Sequence, residues 1–147
     1  MIRTVFLLHM LATLTMFGAI WTVQLVTYPG FALVGREAWV AFEAAHQARI
    51  TRVVGPAMVL ELATAVWLVL DRPAVFPQWA VLAGAVLVGV VWLSTLFVQV
   101  PLHSALSTAF DADAQARLVA TNWIRTAAWS ARAGLVLWLA SRVVPPL

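Results

Sequence analysis

The stretch that decides the fold is WAVLAGAVLVGVVWLSTLFVQV, residues 79–100, in which no residue is charged and most are aliphatic. It lies within a longer segment, residues 73–110, that contains no Asp, Glu, Lys or Arg. A helix needs about 20 predominantly apolar residues to cross the hydrocarbon core of a bilayer. Residues 79–100 are therefore predicted to form a membrane-spanning helix.

The composition of the whole chain is also typical of a membrane protein. Of its 147 residues, 63% are hydrophobic and 10% are charged, whereas soluble domains carry about 25% charged residues. The sequence pI near 11.1 comes from nine arginines with no lysine, and these are scattered singly. They form no basic patch, so a nucleic-acid partner is not expected. The absence of cysteine excludes disulfides, thiolate catalysis and iron–sulfur clusters.

Three further segments are predicted to span the membrane, which makes the fold class all-α, a four-helix membrane bundle in a single domain over residues 1–147. The four predicted spans are residues 5–27, 53–70, 79–100 and 118–140. An even number of spans places both termini on one side of the membrane. Between the first two spans, Glu37 to Ile50 has the pattern of an amphipathic interfacial helix, and Gly55-Pro56 is expected to separate or kink it from the second span. The arginines divide almost equally between the two sides, so the orientation is undecided.

Ionisable residues inside a bilayer are costly and need a partner. Glu61 lies near the centre of the second predicted span, and Arg125 and Arg132 lie in the fourth. Counted at about 1.5 Å per residue from the loop side, Glu61 falls between the two arginines in depth. A Glu61–Arg125 pair and a Glu61–Arg132 pair are both compatible with this depth, and either would be a buried ion pair that holds the helices in register.

Polar side chains from four segments converge on the loop side of the predicted bundle. Asn122, Arg125 and Trp129 share one helix face. The remaining members come from the ends of the first and third spans and from the interfacial helix: Gln24, Tyr28, His46, Gln99 and His103. Such a cluster at the mouth of an apolar bundle is typical of a site for a lipophilic ligand, to which Trp123 is also assigned. The alternative is a hydrogen-bond network that only caps the bundle.

Two histidines of this cluster are also candidate metal ligands. Glu43 and His46 form a Glu-x-x-His element, which di-iron bundles use twice but which occurs once here. His46, His103 and a carboxylate would make a two-His-one-carboxylate site; as axial ligands, the two histidines would instead hold a haem. His9 lies near the opposite end of the first span and is expected to be an ordinary polar residue near the interface.

The second half of the chain resembles a family of small bacterial four-span membrane proteins. Pro101 followed by Leu106, and Asn122 followed by Arg125, match the Pro-x-x-x-x-Leu segment and the Asn-x-x-Arg element of the anthrone-oxygenase-like domain family. The N-terminal half is more similar to uncharacterised relatives of that family. The resemblance implies a four-span fold, and for some members it implies oxygenation of polycyclic phenolic substrates.

These observations predict a multi-pass protein of the bacterial inner membrane, embedded in the lipid bilayer and compatible with an oligomer. The predicted function is a small oxidoreductase or oxygenase-like enzyme acting on a lipophilic aromatic or quinone-like molecule. His46 and His103 would be acid/base or metal-binding groups, and Asn122, Arg125 and Gln99 would orient a carbonyl or phenolate oxygen. Haem or a mononuclear metal is a candidate cofactor. The runner-up is a non-catalytic membrane subunit that binds a lipid or a partner helix through the same mouth.

Overall fold

The computed structural model describes residues 2–143, and every regular element in that range is helical. The α-helices are α1 (Ile2–Thr22), α2 (Tyr28–Gly30), α3 (Trp39–Leu70), α4 (Gln78–Ser94), α5 (Val100–Leu106) and α6 (Ala112–Ser141). Two π-helical turns, Val23–Thr27 and Thr95–Gln99, join α1 to α2 and α4 to α5, and 3-10 turns at Phe31–Leu33 and Arg36–Ala38 lead towards α3. The all-α class predicted from the sequence is therefore confirmed for the described residues.

Three continuous helical stretches are long and apolar enough to cross a membrane: Ile2–Leu33, Arg36–Leu70 and Gln78–Leu106. α6 is of similar length but is less apolar, because Asn122, Arg125 and Arg132 lie along its buried face. The lengths and composition of the three apolar stretches indicate a helical membrane protein.

Apolar clusters hold the long helices together at the two poles of the molecule. One cluster contains Phe6, Leu68, Phe76, Ala80 and Leu139. The other contains Phe31, Trp39, Leu106 and Leu118. The first cluster unites the beginnings of α1 and α4 with the ends of α3 and α6, so consecutive long helices run antiparallel. We call this end the terminal pole and the other end the loop pole. Between them, α1 packs against α3 and α6, and α4 packs against the same two helices.

The two π-turns each precede an X-Pro pair. In the first, the Tyr28 backbone N–H donates to the Val23 carbonyl, five residues back. In the second, the N–H of Val100 donates to the carbonyl of Thr95. A proline has no N–H, and its ring collides with the carbonyl four residues back in a regular α-helix. The wider π-turn relieves that collision, so each helix continues through its proline instead of ending there.

α3 differs from the expected division into an interfacial helix and a separate span. It runs without interruption from Trp39 to Leu70 with Pro56 in its interior. Its first turns are anchored on other helices, because Trp39 is fully buried and its indole N–H donates to the Leu106 carbonyl at 2.7 Å. The prediction that Gly55-Pro56 separates two helices is therefore wrong. One lost backbone bond at a proline is tolerated in a spanning helix whose neighbours support it.

Candidate functional site

A chain of hydrogen bonds joins side chains from four helical segments at the loop pole. Glu43 Oε1 lies 2.6 Å from Nδ1 of His103, and Nε2 of His103 lies 3.0 Å from the Tyr28 hydroxyl. That hydroxyl also accepts from Arg125 Nη2 at 3.1 Å. We call Glu43, His103, Tyr28 and Arg125 the relay. It connects a buried carboxylate to a buried guanidinium through an imidazole and the only tyrosine of the sequence.

The π-turns bring the relay residues of the first and third helical stretches to face the interior. Inward-facing residues of a helix normally recur every three or four positions. Here Val23 and Tyr28 are both buried although they are five apart, and so are Ser94 and Gln99. Each extra residue rotates the following side chains by about 100° around the helix axis. Tyr28 therefore faces the interior, and so does His103, one turn after Gln99.

The side-chain amides of Asn122 and Gln24 form a hydrogen-bond network that holds Arg125 in place. Asn122 Oδ1 accepts from Arg125 Nε at 2.9 Å, and the Asn122 amide nitrogen donates to Gln24 Oε1 at 2.8 Å. Gln24 in turn donates to the Val119 carbonyl at 3.1 Å. Both amides are almost fully buried. Asn122 and Gln24 therefore orient the guanidinium towards Tyr28. Neither side chain lines the cavity that Arg125 itself lines.

The relay lies beside a cavity of about 160 Å³ and supplies part of the cavity's polar wall. Tyr28, His103 and Arg125 line it together with the amides of Gln47 and Gln99. Most of the remaining wall is apolar, with Met16, Met58 and Trp129 among its residues. An apolar cavity with a few convergent polar groups is the usual form of a small-molecule site.

The charge of Arg125 has an unusual environment. Arg125 is only 8% exposed, and within residues 2–143 no carboxylate lies at ion-pair distance from it. Its acceptors are neutral: the Asn122 amide oxygen, the Tyr28 hydroxyl and, at 3.4 Å, the Thr95 hydroxyl. Because a buried charge is costly without a counter-charge, this guanidinium is well placed to stabilise an anionic oxygen in the cavity.

His46 lies beside the relay and does not join it by a hydrogen bond. Its ring centroid is 5.8 Å from that of His103, with the ring planes 26° apart. Its Nε2 has no hydrogen-bond partner among the described residues, and Glu43 Oε2 has none either. His46 contacts the aromatic ring of Phe31 at 4.9 Å between centroids.

The hydrogen bonds of His103 compete with its candidate roles as a metal or haem ligand. Both ring nitrogens of His103 are already engaged, one with Glu43 and one with Tyr28. Ligation by His103 would therefore break one of these hydrogen bonds. In the part of the chain that the structure describes, no group of three His, Asp or Glu side chains is arranged to hold a metal ion.

A second polar cluster lies between the two poles and is centred on Glu61, which is 1% exposed. Arg132 Nε donates to Glu61 Oε1 at 2.8 Å, and Trp129 Nε1 donates to Oε2 at 2.9 Å. The Thr13 hydroxyl donates to Oε1 at 2.8 Å. Of the two arginines considered for Glu61, the structure places Arg132 against it, whereas Arg125 belongs to the relay.

Two residues lie elsewhere than the sequence predicts. His9 is buried in the second cluster, where its Nε2 accepts from Arg132 at 3.2 Å and its Nδ1 lies 2.8 Å from the Thr64 hydroxyl. The expectation of an ordinary interfacial residue is wrong, because α1 turns this side chain towards α6. Trp123 is 46% exposed and lies outside the cavity. It directly follows Asn122, so it points about 100° away around the helix, and the structure does not bring it together with the other residues of the predicted ligand site.

The sequence pattern also misses the main contact of Glu43. The pattern assigns Glu43 only to a metal site, but its carboxylate is fully buried against His103 and accepts from Gln47 Nε2 at 3.0 Å. A signal was present, since Trp39, Glu43 and Gln47 follow one another at four-residue spacing and therefore share one face of α3. That spacing identifies the face but not the residue it contacts.

No protein-family model, curated protein or solved structure matches the chain. The resemblance to the anthrone-oxygenase-like domain family therefore remains a prediction from short motifs. The function has to be argued from the geometry of the relay and its cavity.

Proposed function

We propose that the chain is a four-span protein of the bacterial inner membrane that oxidises a lipophilic hydroquinone in the cavity beside the relay. The observation that carries the proposal is the guanidinium of Arg125, which has no carboxylate partner among residues 2–143 and donates to the Tyr28 hydroxyl at the wall of an otherwise largely apolar cavity. Such a cavity favours an aromatic ligand, and the guanidinium favours one whose oxygen becomes anionic.

The contacts of α6 support its assignment as the fourth span. An arginine near the centre of a spanning helix costs about 2.5–3.5 kcal/mol on insertion scales, so a spanning α6 needs internal partners for its two arginines. Arg132 has Glu61 and Arg125 has Asn122 and Tyr28, and both arginines are buried. The outer face of α6 carries exposed Ile124 and Leu137, which suit contact with lipid.

The relay supplies a route for proton transfer. Movement of a proton from Tyr28 to His103 along their 3.0 Å contact creates an imidazolium beside Glu43 and a phenolate beside Arg125. The two buried charges at the ends of the relay are then both compensated. In acyl-transfer triads, too, a carboxylate orients a histidine, and that histidine exchanges a proton with a hydroxyl group.

Tyr28 then acts as the base towards the ligand. Its phenolate takes a proton from the ligand hydroxyl, and the ligand phenolate becomes the new counter-ion of Arg125. The electron acceptor in this proposal is dioxygen, which takes two electrons, the proton held on His103 and the proton of the second ligand hydroxyl, so that the relay returns to its starting state. The net reaction converts a hydroquinone and dioxygen into a quinone and hydrogen peroxide, and it balances without another reactant.

The test uses the full-length protein in liposomes supplied with an alkyl hydroquinone, with oxygen uptake and peroxide measured together. Tyr28→Phe is expected to lower the protein-dependent rate by about 10²–10⁴-fold, the usual contribution of a positioned acid/base group. Trp123→Phe, an equally conservative change at an exposed site, is the matched control and should retain the rate.

Two results contradict the proposal. A rate that Tyr28→Phe leaves unchanged removes the relay from the reaction. Saturable hydroquinone binding without oxygen uptake assigns the cavity to the alternative function, a non-catalytic membrane subunit that binds a lipophilic ligand.

A further inference from the structure

The size of the cavity limits the ligand. Its volume is about 160 Å³, and an engineered apolar cavity of about 150 Å³ holds one benzene ring. A fused three-ring system needs on the order of 300 Å³ or more by the same measure. The volume of the cavity therefore matches one aromatic ring, and a fused three-ring system would have to extend beyond it.

The chemistry of the cavity wall orients that ring. The hydroxyl of Tyr28 and the guanidinium of Arg125 lie together on one part of the wall, joined by a 3.1 Å hydrogen bond. Met16, Met58 and Trp129 supply apolar surface from three different helices. A ring with one oxygen at the polar part buries its carbon atoms against this apolar surface, where burial favours it by roughly 25 cal/mol per Å².

Thr51 of α3 and Val100 of α5 are the two exposed residues in the described lining of the cavity, which locates its opening between these two helices. Val100 is 53% exposed. The exposed surface around the opening is apolar at Val53 and Phe97 and basic at Arg52, which directly follows Thr51. An arginine beside apolar residues suits the boundary between the lipid headgroups and the hydrocarbon. A hydrocarbon substituent leaving the ring at this opening lies against the apolar residues.

We infer that the cavity takes a single-ring hydroquinone with a hydrocarbon tail, which enters from the bilayer between Thr51 and Val100. This inference rests on the proposed function and names its substrate class. It departs from the polycyclic substrates that the family resemblance implies.

The test measures binding separately from turnover. Full-length protein in phosphatidylethanolamine–phosphatidylglycerol nanodiscs is titrated anaerobically with radiolabelled decylhydroquinone, and binding to empty nanodiscs is subtracted. Anthrahydroquinone, a three-ring hydroquinone, is the competitor. We expect saturable decylhydroquinone binding that anthrahydroquinone does not displace.

Val100→Trp covers the opening and is expected to weaken decylhydroquinone binding by about tenfold or more, the loss that follows when one apolar ring is no longer buried. Leu93→Trp is the matched control, because Leu93 is a similarly exposed apolar residue of α4 that does not line the cavity. It should change the binding constant by less than about twofold, as surface substitutions usually do.

The outcomes separate the inference from the proposed function. If anthrahydroquinone binds and is oxidised in a Tyr28-dependent reaction while decylhydroquinone does not bind, the single-ring inference is overturned and the proposed function stands. Equal weakening by the two tryptophan variants overturns the lateral opening. Decylhydroquinone binding that only Val100→Trp weakens supports the inference, even if oxygen uptake is absent and the proposed oxidation fails.

Discussion

Replacement of Glu61 by glutamine tests the buried ion pair most directly. The carboxylate is 1% exposed and accepts from Thr13, Trp129 and Arg132. Glutamine has nearly the same volume but one acceptor oxygen, so at least one donor is left facing an N–H group and Arg132 loses its counter-charge. Breaking a buried pair by removing one partner costs about 3–5 kcal/mol. Interhelical hydrogen bonds in membranes average only about 0.6 kcal/mol, so we expect a loss near the lower limit, about 3 kcal/mol.

The assay is a double-mutant cycle in detergent micelles. Unfolding by sodium dodecyl sulfate is followed by far-ultraviolet circular dichroism for Glu61→Gln, Arg132→Met and the double variant. Removing both charges together is close to neutral in other buried pairs, so the double variant should recover much of the loss. We expect a coupling free energy of about 2 kcal/mol, within the range for contacting residues.

Arg125→Met provides the matched control for this cycle. Arg125 belongs to the relay and does not contact Glu61. The coupling between Arg125→Met and Glu61→Gln should therefore stay below about 0.5 kcal/mol. Additive losses with Arg132→Met would refute the ion pair as a source of stability. Strong coupling with Arg125→Met instead would refute the division into two polar clusters.

Three further predictions concern packing, helix capping and topology. Gly84→Leu should destabilise the protein by about 1–3 kcal/mol, because a Cβ there is already in van der Waals contact with Leu135 at 3.5 Å and with Arg132 at 3.7 Å, so the rest of the leucine side chain would overpack; Gly89→Leu, with nothing within 4 Å, should be near neutral in the same unfolding assay, and equal losses would contradict the packing. Asp111→Ala should cost about 1 kcal/mol because its carboxylate caps α6, while Asp111→Asn should retain most of the stability; an unchanged alanine variant would rule out the cap. Reporter fusions after Arg72 and at the C-terminus should report one compartment and a fusion at Asp111 the other, and opposite reports from the first two would exclude four spans.

Local features of the sequence determined the class of the protein and the end at which its polar residues gather. Water solvates a charge-free, largely apolar run such as residues 79–100 poorly. Its hydropathy and length alone therefore predict a membrane helix. The three- and four-residue spacing of Asn122, Arg125 and Trp129 places them on one face in any α-helix. These conclusions need no knowledge of how the helices pack.

Tertiary structure decided which of these side chains touch. Counting residues put Glu61 within reach of both Arg125 and Arg132, which are about two helical turns apart. The choice of Arg132 depends on the axial offset between α3 and α6, which packing sets. The contact between Tyr28 and His103 depends in the same way on two π-turns, each of which rotates the following residues relative to the preceding helix.

The same distinction accounts for the residues that were misplaced. His9 has nothing in its local sequence that separates an inward from an outward position, whereas the position of Trp123 directly after Asn122 was a local signal that it leaves the inward face. Continuity of α3 through Pro56 depends on anchors such as Trp39, which bonds to a carbonyl far away in the chain. Helical periodicity determines which residues share a face, but the rotation and offset of one helix against another are set by the packing of all their side chains at once. For that reason only the folded structure assembles the relay and its cavity.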